Sequence, residues 1–184
     1  MAVIASRDSR FDGVEIFGLF LLSFGRACVN LHALAGAELD HLLAGVEPLR
    51  WQHAARFMEA LSAIEKRFQN FEPILERIGS EMMNLWYESG PGRSIVKKAI
   101  DFLYFQTGSS GYASVARGPA ERLGSFTLVS IDPEQGSAVV HSTTPFARSM
   151  ERGVLIGGLQ LASDLVYVDV DNSTDQDVFH ISFH

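Results

Sequence analysis

The chain has 184 residues, 47% apolar and 20% charged, and its 15 Lys and Arg stand against 22 Asp and Glu for a formal net charge of −7. Such proportions can bury a core and exclude a disordered, collagenous or low-complexity chain, and at this length they predict one domain, 1–184, with a helical half (1–107) and a sheet half (108–184). The acidic balance supplies no global field to draw in a phosphate backbone, so nucleic acid is not an expected partner.

Residues 1–10 lack the basic-then-apolar layout of a secretory signal, and the single cysteine, Cys28, can make neither an intramolecular disulfide nor a Cys-rich zinc site. Both point to a cytoplasmic protein. Val14 to Phe24 is the most apolar stretch, but it falls well short of the roughly twenty residues that a membrane span needs. Ile16, Leu19, Phe20, Ser23, Phe24 and Ala27 recur at helical spacing, while Phe17, Leu21 and Leu22 make other faces apolar too. A helix of this kind needs two burying surfaces. It is either the contact of a homodimer or the central helix of one domain.

A short helix, Glu38 to Leu43, lies between Gly36 and Gly45. A third runs from Pro48 to Phe68, with Pro48 in the first turn, where its missing N–H costs nothing. A fourth starts at Pro73 and stops at Ser89-Gly90-Pro91-Gly92, and a fifth covers Arg93 to Phe105. After Gly108-Ser109-Ser110-Gly111 the apolar period changes from helical to strand-like. Tyr112 to Arg117 reads as a strand. Ser125–Asp132 and Ser137–Ser142 flank the turn Pro133-Glu134-Gln135-Gly136 as an antiparallel hairpin. Phe146 to Ala162 is helical again, and Leu165–Val170 and Val178–Phe183 form a second hairpin. The expected fold is therefore α+β: about five helices packed on an antiparallel sheet of about five strands with one inserted Gly-rich helix. Ser149, Gly153 and Gly157, with Gly158 beside them, form a small-residue stripe on that helix. A glycine costs about 1 kcal/mol in a helix, so the stripe predicts a close neighbour, expected to be the sheet; a ligand space is the alternative.

The segment from Gly136 through His141-Ser142-Thr143-Thr144-Pro145-Phe146 to Gly158, within the order strand, hairpin, Gly-rich helix, hairpin, resembles the α+β ligand-binding fold of 4-vinyl reductase domains, haem-dependent nitric-oxide-binding domains and TRAPP core subunits. The resemblance covers about the last 75 residues in pattern, and the helical half agrees in order and length. It implies a scaffold around a small hydrophobic or lipid-like molecule, commonly paired as a dimer. The nitric-oxide-binding branch holds haem through a histidine on the long helix before the sheet, yet Pro73 to Phe105 contains none, and His141, Thr143 and Thr144 are poor substitutes for its Tyr-Ser-Arg grip. No cofactor is expected on these grounds, and haem is disfavoured. The cysteines that often mark the closing hairpin of 4-vinyl reductase domains are missing as well.

No Gly-x-Ser-x-Gly, P-loop or dinucleotide fingerprint occurs. The alternating acids Asp169 to Asp177 lack the glycine and glutamate of a calcium loop and read as a solvated hairpin tip. His141, His180 and His184 lie on two strands that can be neighbours, so a three-histidine metal site is one reading and a polar sheet face the other. The aromatic supply is concentrated on the helices before the sheet and on the sheet half. A pocket between them is expected to be lined by Trp86, Tyr87, Phe102, Phe105 and Phe146, with His141 or Arg148 as polar anchor. The function expected is a non-catalytic sensing or interaction module that binds a small hydrophobic ligand and acts through protein contacts, as a homodimer through the N-terminal helix. The alternatives are a scaffold subunit without ligand and a metal-dependent enzyme using the strand histidines.

Overall fold

Residues 11–184 are described by the structure, a computed structural model; the reading of residues 1–10 lies outside them. The chain runs β1 (Glu15–Phe17), α1 (Gly18–Asn30), α2 (Ala37–Leu43), β2 (Trp51–His53), α3 (Ala55–Arg67), α4 (Glu72–Ser89), α5 (Gly92–Ile95) and α6 (Ala99–Thr107). A 3-10 turn at Tyr112–Ser114 leads into β3 (Ala116–Arg117) and α7 (Ala120–Leu123). There follow β4 (Phe126–Asp132), β5 (Ser137–Ser142), α8 (Arg148–Gln160), β6 (Val168–Asp171) and β7 (Val178–Phe183). The α+β class matches expectation, but the described residues hold eight α-helices and two antiparallel sheets, ordered β2-β1-β3 and β4-β5-β7-β6.

The differences have local causes. Pro48 does not start a helix: its carbonyl and that of Arg50 accept the Leu19 and Gly18 N–H groups at 2.9 and 2.8 Å, so this loop satisfies the otherwise orphaned start of α1. The expected fifth helix is split. The Asp101 carboxylate accepts the Lys97 and Lys98 N–H groups at 2.9 and 2.8 Å, which fixes a fresh start at α6. Asp164, from the loop after α8, accepts the Ala99 N–H at 3.0 Å. Asp164→Ala is expected to cost about 0.5–2 kcal/mol, the range for losing such a cap, measurable by urea denaturation. The five-strand sheet separates because β1 and β2, inside segments read as helix, recruit β3 over long sequence separations. Of the expected Tyr112–Arg117 strand only Ala116 and Arg117 are strand, with the Val115 carbonyl accepting the Phe17 N–H at 2.9 Å beside them.

Both expected hairpins form, β4 with β5 and β6 with β7. Alternation sends Ala138, Val140, Phe179, Ile181 and Phe183 to the inner face and His180 and Ser182 to the outer one. The inner face packs on α6 and α8 as one apolar cluster, while α1 to α4 build a second with Phe146 and Met150. Where α4 crosses α8, Gly79 faces the Met150 carbonyl, Gly153 faces the Glu76 carbonyl and Gly157 faces Ser80. The small-residue stripe is therefore matched by a neighbouring helix, not by the sheet, and at Gly158 by the Phe102 ring.

Leu21 is fully buried within the chain and Phe17 packs on Trp51 with ring centroids 5.2 Å apart. The central-helix reading accounts for both; Leu19 and Val29 are the large apolar residues of α1 left exposed. No helix among the described residues is long and apolar enough to cross a membrane.

Candidate functional site

The seven residues expected to line a pocket do not converge. Trp86 stacks on Phe105 at 4.8 Å, Tyr87 lies under the Arg93 guanidinium, and Phe102 is fully buried in the sheet-side cluster. Phe146 belongs to the other cluster, within ring contact of Phe11, Phe20, Phe57 and Tyr112. His141 alternates with buried Val140 and Ser142 and so lies on the outer side of β5. Where α6 meets α8, Phe102 occupies the space that Gly158 leaves free. Of the anticipated anchors, only Arg148 reaches a buried polar centre.

That centre is Glu151, one turn into α8 and buried. Ser142 Oγ donates to its carboxylate at 2.9 Å, Thr144 Oγ1 also donates to it, and Arg148 Nη1 lies 2.9 Å away. Arg148 also donates to the Thr144 and Phe146 carbonyls at 3.1 and 3.0 Å, and its Nε meets Asp177 at 2.7 Å. One arginine thus ties the end of β5, the start of α8 and the β6–β7 loop together. Burial pushes the Glu151 carboxyl up to about 7, although Arg148, Thr144 and Ser142 each pull it down. Desolvation outweighs the whole set of partners.

Tyr112 is the second residue that sequence reasoning missed. Its side chain packs against both apolar clusters, its ring meets Phe146 edge-on at 6.0 Å, and its hydroxyl donates to the Leu123 carbonyl at 2.5 Å. Burial, with the nearby Glu151 charge, pushes its phenol well above the ordinary range. Tyr112 also lines a half-open cavity of about 330 Å³ between the end of α6, the 3-10 turn, α7 and the start of β4. The size is at the lower end of the roughly 300–1,000 Å³ usual for small-molecule sites. The Arg148-x-x-Glu151 spacing was visible in the sequence, since residues three apart on a helix are neighbours. Tyr112 gave no signal beyond strand-like composition.

The strand histidines do not form the metal site that was one alternative. His141 and His180 are opposite Val178 and Val139 in the β5–β7 ladder, and His184 stacks on Tyr167 at 4.8 Å. Among the described residues no group of three His, Cys, Asp or Glu is placed to hold a metal ion.

No family model and no curated protein matches the sequence. Solved structures do match the fold. An Fe(II) unliganded H-NOX protein from K. algicida aligns with TM-score 0.61 and 10% identity over 92% of this chain and 97% of that one. An oxygen-binding H-NOX domain related to soluble guanylate cyclases, in its oxygen complex, aligns with TM-score 0.55 and 10% identity over 90% of each chain. A protein whose haem redox potential is modulated through porphyrin distortion aligns with TM-score 0.63 and 9% identity, over 90% of this chain and 93% of that one.

These structures overturn the expectation of no cofactor with haem disfavoured. The fold this chain shares is one in which haem is held, and the absence of histidine between Pro73 and Phe105 does not set that aside. The side chains around the cavity do not by themselves make a familiar iron site. Haem iron takes a histidine, thiolate, methionine or tyrosinate ligand. The cavity lining offers no imidazole, thiol or thioether, and Tyr112 keeps its proton and commits it to Leu123. Cys28 is enclosed in the helical cluster, where burial pushes its thiol up to about 12. The chain has the fold of H-NOX domains.

Proposed function

We propose that this chain is a non-catalytic sensing module of the H-NOX fold, which takes a small ligand in the cavity at Tyr112 and reports its presence through contacts with another protein. The observation that carries this reading is the position of Tyr112, which both lines the cavity and packs against the two apolar clusters. A ligand that presses on this ring has a direct packing route to Phe146, and from the Phe146 carbonyl to Arg148, Glu151 and the β6–β7 loop. The hydrophobic-ligand expectation is kept, with its site moved from the expected aromatic pocket between the helices and the sheet half to this seam. Haem comes with the fold and belongs among the ligands to be offered.

Thermal unfolding with a ligand panel that includes haemin tests the reading. Ligand at about 100 times its Kd stabilises by about 2.7 kcal/mol, which moves Tm by several degrees in a chain of this size. Ala113 lines the cavity from an exposed position, so Ala113→Trp is expected to keep the fold by circular dichroism and abolish the shift. A Soret band that saturates at one equivalent and is lost in Ala113→Trp identifies haem as the occupant. Shifts of equal size in the parent and in Ala113→Trp would remove the cavity from the account.

A further inference from the structure

We infer that residues 118–124, which carry α7, form a movable wall of the cavity held shut by the Tyr112 hydroxyl, so that Tyr112 governs entry to the site as well as lining it; the inference rests on the cavity reading above. The wall is strung between two fixed ends. Before it, β3 pairs with β1, and the Arg117 guanidinium meets Glu15 at 2.6 Å and lies over the Trp51 ring. After it, the Ser125 N–H donates to Thr143 Oγ1 at 2.9 Å and the Ser125 carbonyl accepts the Thr143 N–H at 2.8 Å. Gly118 and Gly124 bound the wall with φ of +153° and +61°, a region that favours glycine, and they lie against the backbone of Gly13 and of Thr143.

Between those ends little apolar surface holds the segment down. Leu123 is the one residue of 118–124 that is not exposed, and its half-buried side chain packs on the helical cluster. Few buried apolar contacts put a segment at the low end of local stability, where it opens without the rest of the chain. Against opening stands the 2.5 Å hydrogen bond from Tyr112 Oη to the Leu123 carbonyl. Its donor is anchored in both apolar clusters and stays behind when the wall lifts, so the carbonyl then passes to water. The hydroxyl therefore stabilises the shut state in particular. Leu123 and Gly124 line the cavity, and lifting them enlarges the space beyond about 330 Å³, which admits ligands that the shut form excludes.

Trypsin digestion of the full chain, followed by mass spectrometry at the bond between Arg122 and Leu123, tests this. Tyr112→Phe keeps the ring and removes the hydrogen bond. It is expected to speed this cleavage about fivefold, the effect of one neutral hydrogen bond on the open population, with cleavage at the exposed Lys66 and Lys97 unchanged. Hydrogen exchange of the parent needs no variant: the Leu123 and Gly124 amides are expected to exchange roughly 100-fold faster than those of the β5–β7 ladder. An unchanged cleavage rate in folded Tyr112→Phe, or wall amides protected as well as the ladder, overturns the inference. The cavity reading then stands on its own test with Ala113→Trp. Faster cleavage in a protein whose parent takes up nothing from the ligand panel leaves a mobile segment with no site to close, and both readings fall.

Discussion

Gly153→Ala is expected to destabilise the protein by roughly 3 kcal/mol or more, the upper range for forcing extra volume into a packed interior. A Cβ at this position would run into the Glu76 carbonyl of α4, which is backbone and cannot turn aside. Opposing this is the gain in helix propensity, about 1 kcal/mol for glycine to alanine. The clash wins because relief requires the whole α4–α8 crossing to open, and Gly79 and Gly157 hold the same close approach on either side. Separation of the helices would also loosen Met150, Leu155 and Leu159, all buried on α8. Urea denaturation checks the expectation, with exposed Gln160→Ala near the end of the same helix as a control expected to change little. A Gly153→Ala variant as stable as the parent would show that the crossing is not close-packed.

Glu151 is expected to make folding stability fall as pH rises through about 7. Burial lifts its carboxyl from the ordinary value of 4.5 to about 7 in the folded state, so the folded chain binds this proton more tightly than the unfolded chain. The associated stability is fully present below about 4.5, declines between 4.5 and 7, and is lost above 7. At about 1.4 kcal/mol per pKa unit the span is on the order of 3 kcal/mol. Glu151→Gln keeps the shape and removes the titration, so the difference in stability between parent and variant should itself vary with pH across this window. The charged groups around it, Arg148 and through it Asp177, are unaltered in that comparison. A difference that stays flat from pH 4.5 to 8 would show that the carboxyl titrates normally and is solvated.

The parts of the fold legible in the sequence were those set by local pattern. The hairpin around the Pro133–Gly136 turn, the closing hairpin and the Gly-rich helix all stand where the residues put them, whereas the strand expected straight after Gly108 is mostly a 3-10 turn. The parts that escaped depend on partners far along the chain. Glu15–Phe17 carries helical spacing, yet the β2 and β3 backbones pair with it, and Pro48 serves the start of α1 instead of its own segment. The site escaped for a related reason. Aromatic supply indicated a pocket, but side-chain volume is neutral about whether rings line a space or fill it, and Phe102 fills the one beside Gly158. Arg148 was singled out by type and does anchor a buried group; its partner, Glu151, shared its helix face all along. Tyr112 needed the three-dimensional arrangement, because its importance comes from touching both clusters at once.

Native mass spectrometry of the full chain purified from its own source, parent beside Ala113→Trp, addresses the central claim most directly. A sensing module with its ligand at Tyr112 predicts a discrete added mass on the parent, whether haem or a smaller molecule, and the bare chain for Ala113→Trp. The same adduct on both proteins, or the bare 20.2 kDa chain from both, would contradict it.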